Sequence, residues 1–100
     1  MVLYRTVFQA KFGKASQVVA EFKKMTNFFT ADQIKSMQPR ILTDISGPFD
    51  TVIMETTHAS LAAVEQFRAA MFAMPEMDQE ASTTNDLIIS GRNEYYTIEM

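Results

Sequence analysis

The run Val2-Leu3-Tyr4-Arg5-Thr6-Val7-Phe8-Gln9-Ala10 is rich in β-branched and aromatic residues and ends in the turn Lys11-Phe12-Gly13-Lys14. It predicts a first strand over residues 2–10. From Ser16 the apolar period lengthens: Val18, Val19, Phe22, Met25 and Phe29 recur at steps of three and four, with Gln17, Glu21, Lys24 and Asn27 in other directions. That spacing predicts an amphipathic helix capped at Ser16 or a neighbour. Residues 30–38 are polar and end at Pro39, which disfavours a helical Gln38 and predicts a loop or a ragged helix end. Arg40–Ser46 and Phe49–Thr56 read as two strands around Gly47-Pro48. With those two as the turn, Ser46 meets Phe49, Asp44 meets Thr51, Leu42 meets Ile53 and Arg40 meets Glu55.

A second helix follows, capped near Thr57 or Ser60, with Leu61, Val64, Phe67, Met71 and the stem of Arg68 on its buried side. Pro75 suits the first turn of a third helix, in which Glu76, Asp78 and Glu80 complement the positive helix start. Met77, Ala81, Thr84 and Ile88 would share its inner face, and Gly91 would stop it. Arg92–Glu99 reads as a fourth strand. The order predicts an α+β fold: ferredoxin-like βαββαβ with an extra helix before the last strand, a four-stranded antiparallel sheet, and helices on one face. Right-handed crossovers place the first and third strands in the centre.

Both alternating sets of the strands carry large apolar residues, and this adds a partner to the picture. Tyr4, Phe8, Ile41, Ile45, Val52, Met54, Tyr96 and Ile98 form one set; Leu3, Val7, Leu42, Ile53 and Tyr95 form the other. Helices cover only one face. Leaving several such side chains in water forgoes roughly 1.5–3 kcal/mol each, so a homodimer with sheets face to face is expected.

Length and composition then narrow the function. One hundred residues, 47% hydrophobic and 21% charged, specify one globular domain over 1–100. A net charge of -3 argues against nucleic acid as a partner, and Thr51-Val52-Ile53-Met54 lacks the stacking aromatics of RNA-binding modules that share this strand order. With no Cys and one His, no metal site is expected. No run is long enough for a membrane span, and Met1-Val2-Leu3-Tyr4-Arg5 lacks the order of a signal peptide, so the expected place is the cytoplasm.

Three stretches carry a resemblance: the first strand with Phe12-Gly13-Lys14-Ala15, the segment Ser46-Gly47-Pro48-Phe49-Asp50-Thr51-Val52-Ile53-Met54-Glu55 leading to Ser60-Leu61, and Ile89-Ser90-Gly91-Arg92-Asn93-Glu94-Tyr95-Tyr96. In these the chain resembles the dimeric α/β-barrel superfamily, and within it the NIPSNAP-like and antibiotic-biosynthesis-monooxygenase-like proteins. The resemblance implies a homodimeric α/β barrel with helices outside and, in each subunit, a pocket between sheet and helices. Enzymatic relatives use that pocket for cofactor-independent oxygenation of aromatic polyketides or for haem degradation. The chain departs from them in having no Trp and in placing His58 at a strand-to-helix junction rather than mid-helix.

Candidate ligand-binding residues are Tyr4, Met54, Phe67 and Met71 as pocket walls, with Arg5, Arg40 and Glu55 as polar anchors if the first and third strands are neighbours. The same three charged residues read more readily as an ion-paired cluster at a dimer seam or sheet edge. His58 is the one side chain whose ordinary pKa lies near neutrality and so the candidate general base; Thr57 and Ser60 read as helix caps. Among the eight Met, Met54, Met71, Met74 and Met77 offer an adaptable wall for a flat ligand, or ordinary core packing. The expected function is a homodimeric small-molecule-binding protein for an aromatic or apolar ligand, with an oxygenase-like activity that uses no cofactor as one form of it. The alternative is a non-catalytic dimer whose interior is filled. A cavity of a few hundred cubic ångströms under the helices separates the two.

Overall fold

The computed structural model describes residues 1–100. The elements are β1 (Val2–Ala10), α1 (Ala15–Thr26), α2 (Ala31–Met37), β2 (Arg40–Thr43), β3 (Thr51–His58), α3 (Leu61–Phe72), α4 (Pro75–Asn85) and β4 (Ile88–Thr97). The strands form one antiparallel sheet in the order β2-β3-β1-β4, with the first and third strands central as the crossover rule requires. No helix is long and apolar enough to cross a membrane.

The β2–β3 register is the expected one, with Arg40 opposite Glu55 and Leu42 opposite Ile53. The turn is not. β2 ends at Thr43 and β3 begins at Thr51 rather than Phe49, so the link is a loop over 44–50 that leaves Ile45 fully exposed. Its ends are held by Asp44, whose backbone N–H donates to the Thr51 carbonyl and whose carboxylate accepts from the Thr51 N–H at 3.0 Å. Asp50, in the left-handed region at φ 61, turns its carboxylate toward the start of α1. There it accepts from the Gly13 N–H at 2.9 Å and the Ala15 N–H at 3.2 Å. Asp50 thus does the work expected of Ser16: the α1 cap position is Lys14, which makes no side-chain capping bond.

Residues 31–37 form a helix where a loop or ragged end was expected. A capping box explains it. The Thr30 hydroxyl accepts from the Gln33 N–H at 3.1 Å, and the Gln33 side chain accepts from the Thr30 N–H at 2.8 Å. Gln38 ends the helix in the left-handed region at φ 47, and the Pro39 that follows cannot continue it.

Ser60 caps α3 through its hydroxyl, and the helix buries Val64 but leaves Leu61 exposed, contrary to expectation. α4 starts at Pro75 as expected but ends at Asn85, so Gly91 is not its stop and Ile88 is not on its face. Gly91 instead lies within β4 opposite Phe8, where an added Cβ would sit 3.0 Å from the Phe8 ring. Since β4 begins at Ile88, its faces are fixed by pairing with β1: Tyr4 meets Tyr95 and Leu3 meets Tyr96. The two tyrosines are therefore exchanged between faces relative to expectation.

α1 packs its buried Val18 and Phe22 on Ala10 and Val52, and the Phe22 ring meets Phe8 at 5.0 Å between centroids. This core pins one end of the helical layer to the sheet and leaves space at the other.

Candidate functional site

That space is a cavity of about 240 Å³ between the sheet and helices α1, α3 and α4. Tyr4, Phe8 and Met54 contribute from the sheet, Phe22 and Met25 from α1, Phe67 and Met71 from α3, and Met77 from α4. Of the expected pocket residues, Tyr4, Met54, Phe67 and Met71 come together here; Met74 does not line it. The walls are apolar and methionine-rich, a surface that adapts to a flat ligand through the unbranched, polarisable thioether chains.

A short row of polar groups crosses this apolar space. Tyr4 stacks on Tyr95 with centroids 5.3 Å apart and donates its hydroxyl to the Asn93 side-chain oxygen at 3.4 Å. Thr6 donates to the same oxygen at 3.2 Å. Arg68 reaches in from α3 with its guanidinium carbon 5.9 Å from the Tyr4 ring centroid and 5.7 Å from that of Phe72. Its Nη1 donates to the Tyr95 hydroxyl at 3.2 Å. Its Nε is buried and has no acceptor, and the buried Thr84 hydroxyl on α4 has no partner either.

Arg5, Arg40 and Glu55 also come together, but on the opposite face of the sheet. Glu55 is 5% exposed and lies 3.2 Å from Arg5 Nε and 2.6 Å from Arg40 Nη2. Arg5 continues the cluster to Glu94 at 3.5 Å, and Glu94 accepts from Arg92 at 2.8 Å and from the Tyr96 hydroxyl at 3.0 Å. Arg92 and Tyr96 hold the Glu94 carboxyl below the usual carboxylate range. With the sheet between them, this ion-paired row and the apolar cavity cannot grip the same small ligand. Leu3, Val7, Leu42, Ile53 and Tyr96 share the ion-paired face; Val7 is buried there, Leu3, Leu42 and Ile53 are half-buried, and Tyr96 is exposed.

His58, the last residue of β3, is 6% exposed. Its Nε2 shares a 2.8 Å hydrogen bond with the Thr56 hydroxyl, and its ring lies 5.1 Å from that of Phe67. Thr56 lines the cavity; His58 stands behind it. Burial holds the imidazole below the ordinary histidine range, favouring the neutral form. A histidine whose folded pKa is depressed contributes stability that is complete above its unfolded value near 6.5 and is lost as pH falls through the folded value. The thermal midpoint should therefore drop between pH 7.5 and 5, above the range where Glu94 titrates, and His58→Gln should flatten that slope. An unchanged slope in the variant would contradict this role.

From the sequence only the stem of Arg68 is expected inside, and neither Thr84 nor Asn93 carries a site role. A signal existed for the first: Val64, Phe67, Arg68 and Met71 fall on one arc of α3, so a guanidinium was bound to meet the pocket. Asn93 lies within the expected fourth strand but shares the parity of Tyr95, which the alternation assigns to the face away from Tyr4.

No family model and no curated protein matches the sequence. Solved structures do match in three dimensions. A NIPSNAP family protein from Agrobacterium tumefaciens superimposes with a TM-score of 0.80 at 16% identity, over 96% of this chain and 90% of that one. An uncharacterized NIPSNAP domain protein from Burkholderia xenovorans gives 0.79 at 12% identity, over 98% and 94%. An antibiotic-biosynthesis-monooxygenase-like protein from Nitrosomonas europaea gives 0.70 at 12% identity, over the full length of both chains. Near-complete coverage at such low identity speaks to architecture and not to chemistry. The chain has the ferredoxin-like α+β fold that the NIPSNAP and antibiotic-biosynthesis-monooxygenase-like proteins share.

Proposed function

We propose that the protein is a homodimer whose subunits each bind one small aromatic or otherwise apolar molecule between the sheet and the helices. The observation that carries this reading is the 240 Å³ cavity itself, open space walled by methionine and phenylalanine where a filled core would be expected of a purely structural dimer. The lining has no carboxylate and no imidazole. An oxygenase-like reaction would need a base to deprotonate an electron-rich substrate, so this composition supports binding ahead of acid-base catalysis. The dimer reading rests on the other face of the sheet, where Leu3, Leu42 and Ile53 are only half-buried and Tyr96 is exposed beside the ion pairs, while Val7 is already buried among its neighbours.

Thermal-shift measurements with mono- and bicyclic aromatic compounds test the pocket. A ligand at a hundred times its Kd stabilises the folded form by about 2.7 kcal/mol, or roughly 10–20 °C in a domain this small. Met71→Trp, which fills the cavity with an indole, should fold and lose the response. No response from any compound, or a full response in the filled variant, would remove the cavity from the function.

A further inference from the structure

We infer that the cavity is built for a monoanionic ligand, an apolar or aromatic carboxylic acid of about two fused rings, with its carboxylate held by Arg68. This rests on the cavity being the binding site and goes further by naming the ligand's charge and the residue that selects it.

The size follows from comparison. An apolar protein cavity of about 150 Å³ takes up benzene; the cavity here, at about 240 Å³, scales from six ring atoms to about ten. The charge follows from Arg68. It reaches the same cavity from α3, yet it forms no ion pair and its Nε has no acceptor. Every other arginine is paired: Arg5 and Arg40 with Glu55, and Arg92 with Glu94. Arg68 is half-buried, and the Nε it turns away from water with no acceptor is costly unless an acceptor arrives there. The second mark is Thr84. It is 3% exposed, lines the same cavity from α4, and its hydroxyl has no partner. Two buried donors with nothing to donate to, in a cavity whose lining has no carboxylate, define the acceptor that is missing. The Tyr4 and Phe72 rings beside the guanidinium restrict its position, and the Tyr95 hydroxyl occupies Nη1, so Nε remains for the ligand.

Isothermal titration with naphthalene-2-carboxylate and the neutral naphthalene-2-methanol separates charge from shape. Wild-type protein should bind the acid at least about tenfold more tightly than the alcohol, as one charge-assisted hydrogen bond provides. Arg68→Gln should abolish that preference while leaving the alcohol's affinity within about threefold, and Arg68→Lys should restore part of it. Equal affinities in wild-type protein, or a preference that survives in Arg68→Gln, would overturn the anion site while leaving a neutral pocket in place. If neither compound binds, the pocket reading fails with it. Should Arg68→Gln not fold, the acid-to-alcohol ratio of the wild-type protein alone decides.

Discussion

Phe22→Ala should lower the unfolding free energy by about 3–5 kcal/mol, the range for removing a buried phenylalanine ring. Phe22 is 2% exposed and joins Ala10, Val18 and Val52 in the core that fastens α1 to the sheet. Its ring also closes one side of the cavity. The surroundings cannot collapse easily into the space it leaves, because the far side is already open, and the penalty for an unfilled void is added to the lost transfer energy. Against a typical total of about 5–15 kcal/mol the loss is large. Urea unfolding should show the midpoint falling by about 1–5 M at little changed slope. A loss under about 1 kcal/mol would mean that the wall of the cavity is far softer than its packing indicates.

The second large effect is expected at Glu55, on the other face. Its buried carboxylate stands between Arg5 and Arg40, so Glu55→Ala leaves two guanidinium groups facing each other without the anion between them. Breaking a buried ion pair by removing one partner costs about 3–5 kcal/mol. Arg40 is well exposed and can turn to water, which puts Glu55→Ala near the low end, about 3 kcal/mol. Glu55→Gln keeps one acceptor oxygen and should lose less. The measurement is urea unfolding at fixed protein concentration, because subunit association would make the midpoint depend on it. No loss in Glu55→Gln beside a full loss in Glu55→Ala would show that side-chain volume, and not the ion pair, sets the stability of this region.

Much of this arrangement can be read from the residues, and the failures have identifiable physical causes. The Arg40–Glu55 cross-strand pair followed from counting outward from Gly47-Pro48, even though the turn itself is a longer loop. The count survived because lengthening a loop symmetrically leaves the register unchanged. The helix over 31–37 was missed because its exposed face carries no apolar period, and the capping box of Thr30 and Gln33 was the signal that remained. In β4 the exchange of Tyr95 and Tyr96 follows from a strand that starts at Ile88. A register slip there sends every side chain to the other face, and alternation alone cannot choose when both faces carry aromatic residues. At the site, the resemblance implies a pocket between sheet and helices and the apolar strand and helix positions offer Tyr4, Met54, Phe67 and Met71 as its walls, but charge attraction between Arg5, Arg40 and Glu55 says nothing of which side of the sheet they occupy. Only the strand pairing separates that cluster from the cavity. Thr84 could not be singled out in advance, since an unpartnered hydroxyl is a property of three-dimensional surroundings and leaves no mark on the sequence.

Sedimentation equilibrium at about 1 to 10 micromolar concentration, roughly the range in which a stable homodimer persists, tests the proposed pairing of the sheet faces most directly. Two copies of the 11.3 kDa chain should sediment as one species of twice that mass. A single species at the mass of one chain would contradict the account, because the face bearing Leu3, Leu42, Ile53 and Tyr96 would then be in water with no partner to cover it.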